Sequence, residues 1–259
     1  MIGPCGKKVK PLRWNCAPTF VFLVVFLSPM PRKQVVESLF NGIAHRYDLL
    51  NHLLSGGVDV YWRRKAIATL RPLNPKRILD VATGTADLAI EALRLDPDRI
   101  VGVDIAGEML KKGREKLARR GLSHRIQLQS GDAENLPFDQ ETFDAVTVAF
   151  GVRNFEDLDR GLAGMQRVLR PGGEAVVLEF SRPTAFPFKQ VYLFYFRRIL
   201  PLIGRLLSRH HDAYTYLPDT VLEFPQGEQF MERMRRAGFR EVSQERLTGG
   251  IATIYRGTK

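Results

Sequence analysis

Glycine, hydroxyl and acidic residues follow three successive apolar runs of the chain. Gly84 and Thr85 come after the first run, Asp104 closes the second, and Asp132 and Ala133 follow the third. The carboxyl ends of parallel strands meet at one edge of a sheet, where ligands bind at the point at which the strand order reverses. The spacing therefore predicts that these residues gather around one ligand.

The residue types predict which parts of a ligand they hold. Gly84 lets the backbone approach the ligand closely. A carboxylate at Asp104, about 20 residues further on, accepts hydrogen bonds from both ribose hydroxyls, as in dinucleotide-binding folds. Asp132 and the backbone of Ala133 suit the edge of an adenine ring. For Asp104 an alternative remains open, since a carboxylate there also caps the helix that begins near Gly107.

The turn after the first predicted strand distinguishes between two possible nucleoside cofactors. It lacks the full G-x-G-x-x-G spacing with which a backbone approaches a pyrophosphate. S-adenosylmethionine carries no phosphate and has an amino-acid end that suits acids and backbone groups. The pattern therefore favours S-adenosylmethionine over NAD.

Short apolar strands alternate with amphipathic helices through the middle of the chain. This alternation is typical of a parallel sheet covered on both faces. Two further strands flank Gly249-Gly250 and predict a terminal hairpin. The fold class is therefore α/β, a Rossmann-like class I methyltransferase with a mostly parallel seven-stranded sheet and a C-terminal antiparallel hairpin. The strands are predicted at residues 77–82, 100–105, 126–129, 143–150, 175–180, 241–247 and 251–255.

Four strings outside the nucleoside site resemble one family, the menaquinone/ubiquinone biosynthesis C-methyltransferases. The resemblance covers residues 36–259. The strings are Phe40–Asn51 with Leu54–Trp62, Phe150–Asn154, Arg167–Gly173 with Leu178–Ser181, and Asp212–Leu217. Leu50, Asp59 and Ala149 depart from the family pattern. Asp59 stands where the family has a histidine, so we assign no catalysis there.

The resemblance implies methyl transfer from S-adenosylmethionine to a ring carbon of demethylmenaquinol, giving menaquinol. The quinol precursor of ubiquinone, or another small phenol, is the alternative substrate. The family's cofactor positions carry over onto Thr85, Asp104, Asp132 and Ala133. No metal is expected, and His210-His211-Asp212 is interpreted as a polar loop.

Catalysis on a hydroquinone needs positioning and the loss or polarisation of a phenol proton. Arg153 and Asn154 follow the fourth strand, and Arg153 is predicted to hold a developing phenolate. A surface salt bridge is its alternative. Tyr214 completes the predicted catalytic set, although His45, Tyr47 and Tyr216 are further candidates for contact with the phenol.

The aromatic and basic segment from Phe186 to Leu207 interrupts the alternation. It is predicted to cover the ring and line a channel for an isoprenoid tail, with its arginines at anionic lipid headgroups. The alternative is a lid helix packed on the sheet. We therefore expect a cytoplasmic protein in peripheral contact with the inner face of the membrane. Its oligomeric state is left open.

Residues 1–29 are predicted to lie outside the catalytic domain, which spans 30–259. They hold both cysteines, four basic residues and no acid. They resemble a signal peptide without a good cleavage site. We favour Met30 as the start over a membrane-touching anchor.

The net charge of +11 raises an RNA methyltransferase as a rival function. The body lacks the cysteine that attack on cytosine C5 requires, and no RNA-binding module is visible. We therefore expect no nucleic-acid partner. A non-catalytic protein of the same fold is a further rival, and turnover of labelled S-adenosylmethionine separates it from an enzyme.

Overall fold

The computed structural model describes residues 33–45, 55, 57–194 and 220–259. Seven strands form one sheet in the order β3-β2-β1-β4-β5-β7-β6. The strands are β1 (Arg77–Val81), β2 (Arg99–Asp104), β3 (Ile126–Ser130), β4 (Phe143–Ala149), β5 (Leu169–Phe180), β6 (Arg240–Leu247) and β7 (Ala252–Thr258). Strands β1 to β5 pair in parallel, and β7 pairs antiparallel with both β5 and β6. The predicted fold class is confirmed.

Helices cover both faces of this sheet. Their bounds are α1 (Lys33–Ile43), α2 (Val58–Ala68), α3 (Asp87–Ala92), α4 (Gly107–Arg119), α5 (Leu158–Val168), α6 (Phe188–Phe194) and α7 (Glu228–Arg236). Short 3-10 turns span Arg71–Leu73, Leu93–Leu95, Val152–Asn154 and Thr248–Gly250. Within the described ranges, no helix combines the length and apolar character that crossing a membrane requires.

The core has two halves because side chains alternate across each strand. Leu79 and Val81 of β1 face the helices α5 and α7, whereas Ile78 faces α2, α3 and α4. The near-continuous apolar runs in the sequence follow from this burial on both faces. Asp80 shares the face of Ile78 and is the one buried acid of β1.

The strand that follows α5 is longer than the sequence predicts. The sequence predicts this strand at residues 175–180, but β5 already begins at Leu169. The register shifts between the pairs made by Phe143 and Ala145, so residues 170–173 bulge out of the ladder. The end of the chain holds this bulge, since Gly172 N–H donates to Lys259 O and Lys259 N–H to Gly173 O.

Sheet order reverses between β1 and β4, and their carboxyl ends open a crevice there. Gly151, just after β4, makes this close approach possible. A Cβ at Gly151 would lie 2.6 Å from the Cβ of Ala82, so no larger residue fits without movement. The crevice is where the sequence predicts the ligand.

Candidate functional site

An open cavity of about 640 Å³, counted to its mouth, occupies the crevice. Of the predicted site residues, Gly84, Asp104, Asp132, Ala133 and Asn154 line it. The structure thus brings together the ends of β1, β2, β3 and β4 as the spacing predicts.

Gly84 and Asp104 form the floor of the cavity. The φ angle of Gly84 is +54°, a left-handed conformation that favours glycine. Its N–H donates to Asp104 Oδ2 at 2.8 Å, and Ala106 N–H donates to Oδ1 at 2.8 Å. Burial raises the pKa of Asp104, although these backbone donors work against the shift. The Asp104 carboxylate lines the cavity, which suits an acceptor for ribose hydroxyls.

The loop after β3 builds the side of the cavity at which the sequence predicts the adenine edge. Asp132 Oδ1 accepts from Glu134 N–H at 2.9 Å, which folds the loop around Ala133. Asp132 Oδ2 accepts from Lys33 Nζ at 2.6 Å, so helix α1 reaches this loop. The sequence indicated Asp132 and Ala133, which Glu134 directly follows, but gave no sign of Lys33; Glu134 and Lys33 also line the cavity.

Thr85 lies outside the lining of the cavity. Its hydroxyl is buried 3.0 Å from Lys116 Nζ, which also contacts Asp87 Oδ1 at 2.7 Å. The left-handed residues Gly84 and Ala86 turn the Thr85 side chain towards α4. We therefore revise the expected hydroxyl contact with the cofactor to a role in fixing the turn. Asp87 likewise starts α3 as its first residue, and its side chain does not cap the helix.

Arg153 is buried and does not line the cavity. Its Nη1 donates to Glu179 Oε1 at 2.6 Å and to Phe150 O at 2.7 Å. The surface salt bridge considered from sequence is thus a buried ion pair, with Arg153 9% and Glu179 0% exposed. Within the described part of the chain, Arg153 Nε has no hydrogen-bond partner. Burial raises the pKa of Glu179, although Arg153 lowers it.

A cluster of aromatic rings adjoins the cavity. Phe150 lines the cavity and stacks on Phe180, with ring centroids 4.4 Å apart. Trp62 meets Phe180 edge-on at 6.1 Å and donates its indole N–H to Thr248 Oγ1 at 2.7 Å. The Arg153 guanidinium lies 5.4 Å from the centre of the Phe180 ring. Trp62 is buried, so this group offers the cavity the face of Phe150, with half-buried Phe180 and the Arg153 cation behind it.

Tyr214, Tyr47 and Tyr216 lie outside the described residues, as does His210-His211-Asp212. His45 is described and exposed. Among the residues that the structure describes, no group of three or more His, Cys, Asp or Glu is arranged to hold a metal ion.

Asp80 lies buried beneath the cofactor turn. It accepts hydrogen bonds from Thr83 Oγ1 at 2.6 Å and Thr147 Oγ1 at 2.8 Å. Burial raises the pKa of Asp80 to about 6; the two hydroxyl donors lower it, and the charge of Asp104 adds to the rise. The ionised Asp80 side chain therefore destabilises the folded protein at neutral pH.

We expect Asp80→Asn to change how stability depends on pH. The folded pKa of about 6 exceeds the unfolded value of about 3.9, so the folded state binds the proton more tightly. The contribution of Asp80 to the free energy of unfolding of the wild type is therefore complete below about pH 4, and it is lost as the pH rises through about 6. As the pH rises from 4 to 7, the free energy of unfolding of Asp80→Asn should increase by on the order of 2 kcal/mol relative to that of the wild type. Urea unfolding at both pH values measures this, and a constant difference would contradict it.

Comparison with known proteins agrees with this geometry. A model of the ubiE/COQ5 methyltransferase family matches residues 30–259. A demethylmenaquinone methyltransferase of Bacteroides fragilis is 49% identical over 229 residues, which cover 88% of this chain and 94% of that protein. The ubiquinone/menaquinone biosynthesis C-methyltransferase UbiE of Geobacter sulfurreducens is 50% identical over 226 residues, which cover 86% of this chain and 88% of that protein.

Solved structures share the fold at lower identity. A SAM-dependent methyltransferase of Thermotoga maritima superposes with a TM-score of 0.61 at 21% identity, covering 86% of this chain and 99% of the other. At that identity the likeness shows the fold alone.

Proposed function

Because this chain belongs to the ubiE/COQ5 methyltransferase family, we propose that it methylates a ring carbon of demethylmenaquinol and gives menaquinol. The chain is an S-adenosylmethionine-dependent methyltransferase of quinone biosynthesis. The substrate proposal rests on the 49% identity to the Bacteroides fragilis enzyme over nearly its whole length. Phe150 in the lining of the cavity supports it, since a flat apolar ring packs against such a face.

The residues of the cavity have distinct roles in this proposal. S-adenosylmethionine supplies an electrophilic methyl group when bound. Asp104 holds the ribose hydroxyls, Asp132 and Ala133 hold the adenine edge, and the turn at Gly84 and Thr85 sets the backbone beside the ligand. The fit is good because the floor offers acceptors and backbone groups without a phosphate cradle.

Arg153 and Asn154 serve the ring in this proposal. Asn154 lines the cavity at the end of β4 and offers an amide to a ring hydroxyl. Arg153 is held behind the cavity by Glu179, 5.4 Å from the centre of the Phe180 ring, and its fixed charge stabilises the phenolate oxygen that forms as the ring attacks. Tyr214 remains a candidate for phenol contact.

The quinol precursor of ubiquinone is a second candidate substrate. The Geobacter sulfurreducens relative is named for both pathways and is 50% identical to this chain. An assay with labelled S-adenosylmethionine and both reduced precursors decides between them. We expect the demethylmenaquinol product to form faster, and equal or slower formation would overturn the substrate assignment.

The catalytic domain is proposed to span residues 30–259, with residues 1–29 dispensable. The family model begins to match at residue 30. A chain that starts at Met30 should therefore turn over detergent-dispersed quinol at a rate close to that of the full chain. A folded but inactive shortened protein would contradict this proposal.

We further propose that α6 touches an anionic membrane surface from the cytoplasmic side, where the lipid substrate resides. Phe186 and Phe194 are 80% and 61% exposed, and Lys189 is exposed beside them. Exposed aromatic rings with adjacent cations suit the interface of an anionic bilayer. The rest of the segment predicted to form the channel, after Phe194, lies outside the described residues.

Replacing Phe186 and Phe194 with Ser should weaken binding to vesicles that contain anionic lipid. The KM for a long-tailed quinol should rise by more than the KM for a short-tailed analogue, because each buried Å² of apolar area contributes roughly 25 cal/mol. Affinity for S-adenosylmethionine should not change. Equal effects on long and short tails would indicate a packing lid instead.

A further inference from the structure

Helix α1 forms a roof over the cofactor cavity. Lys33, Val36 and Phe40 recur at helical spacing, so they share one face, and all three line the cavity. The far end of the helix is fixed by Phe40 and Ala44, which pack with Ala106 and Met109.

A hydrogen bond adds to this attachment. Asn41 Oδ1 accepts from Glu108 N–H at 3.0 Å and so satisfies a free donor at the start of α4. Because α4 begins directly after the loop that follows Asp104, this end of the roof is tied to the ribose side of the cavity.

The near end of α1 is held by an ion pair. Lys33 Nζ lies 2.6 Å from Asp132 Oδ2 and 2.8 Å from Glu134 Oε2. Glu134 is buried, and its Oε1 accepts from Glu156 N–H at 2.9 Å, so its position is set by the protein. The ammonium of Lys33 thus lies between two carboxylates that would otherwise repel each other at the adenine end.

This ion pair leaves room for a ligand. An ionised carboxylate has about four acceptor sites, and Asp132 uses one on each oxygen for Lys33 and for Glu134 N–H. An exocyclic amino group therefore still finds an acceptor on Asp132 while Lys33 stays in place. The roof and the ligand do not compete for the same lone pair.

We propose that Lys33 is a positioning residue of the cofactor site, which orients the Asp132 and Glu134 carboxylates and closes α1 over the adenine end of the cavity. This inference rests on the S-adenosylmethionine cavity and not on the proposed quinol. Closure delays release of the ligand, so loss of Lys33 acts mainly on the dissociation rate.

The test is Lys33→Met, which keeps the apolar stem and removes the charge. Calorimetry should show S-adenosylmethionine binding roughly tenfold more weakly, as expected for the loss of charged hydrogen bonds. Stopped-flow displacement should show faster release by a similar factor. Lys33→Arg, which keeps the charge, should recover most of the affinity.

Lys112→Met is the matched control. Lys112 pairs with Glu115 at 3.0 Å, and its side chain is 29% exposed against 33% for Lys33. It does not line the cavity, so its replacement should leave the affinity unchanged. Raising the salt concentration should weaken binding by the wild type and the control towards the Lys33→Met value, because a partly exposed ion pair is screened.

Several outcomes would overturn the proposal. Affinity in Lys33→Met equal to that of the wild type would show that the ion pair does not act on the ligand. Tighter binding would show that Lys33 competes with the ligand for Asp132. If Lys33→Met does not fold, Glu134→Gln decides in its place: it should release the ligand faster than Lys33→Arg does, and release as slow as that of the wild type would refute the role. These measurements need no quinol, so they stand apart from the substrate assay.

Discussion

Asp104→Ala should weaken binding of S-adenosylmethionine by at least about 1.5 kcal/mol, which is roughly tenfold or more in affinity. The carboxylate lines the cavity, where we propose that it accepts from the ribose, and it also fixes the turn after β1 through Gly84 N–H and Ala106 N–H. The variant therefore loses a hydrogen-bond acceptor for the ribose and, at the same time, the contacts that hold the floor of the cavity. Isothermal calorimetry on the purified protein measures the change.

The control for this prediction lies at the other end of the same strand. Asp98 is an exposed acid just before β2, and its side chain is far along the strand from the crevice. Asp98→Ala should bind S-adenosylmethionine like the wild type. Unchanged affinity in a folded Asp104→Ala protein, judged by its circular dichroism, would refute the assignment of Asp104.

The strand ends could be predicted from sequence because two local signals agree there. Apolar runs mark strands that are buried on both faces, and a glycine or acid after such a run marks the edge where ligands bind. Gly84, Asp104 and Asp132 therefore fall in the cavity as predicted. The early start of β5 at Leu169 was missed, since the chain end that bonds to Gly172 and Gly173 is about 86 residues away and leaves no local pattern.

The direction of a side chain is harder to predict than its place in the chain. Thr85 stands in the right turn, but left-handed backbone at Gly84 and Ala86 turns its hydroxyl to Lys116. Arg153 follows the right strand, but its partner Glu179 comes from another strand, so the ion pair has no signature in either segment. Lys33 reaches the site only through the packing of α1 against α4, which sequence spacing does not determine.

Arg153→Met should unfold more readily and turn over more slowly, and the two effects are separable. Removing the guanidinium leaves Glu179 buried and unpaired, which costs about 3–5 kcal/mol at neutral pH. Since burial raises the pKa of Glu179, part of this cost should disappear as the pH falls and the carboxyl takes up a proton. Urea unfolding of the variant at pH 7 and pH 5 measures both terms.

Adding Glu179→Gln to Arg153→Met tests what the cation does for the ring. The neutral amide removes the buried charge and still accepts from Phe180 N–H, so stability should return to within about 1 kcal/mol of the wild type. Turnover should stay roughly tenfold or more below the wild type, as for loss of a fixed cation several ångströms from a developing oxyanion. The buried pair of Arg63 and Asp59, 2.6 Å apart on α2, supplies the control, since Arg63→Met with Asp59→Asn should keep its activity. If the Arg153 and Glu179 double variant regains both stability and turnover, Arg153 only supports the fold, and the phenolate must be held by another group.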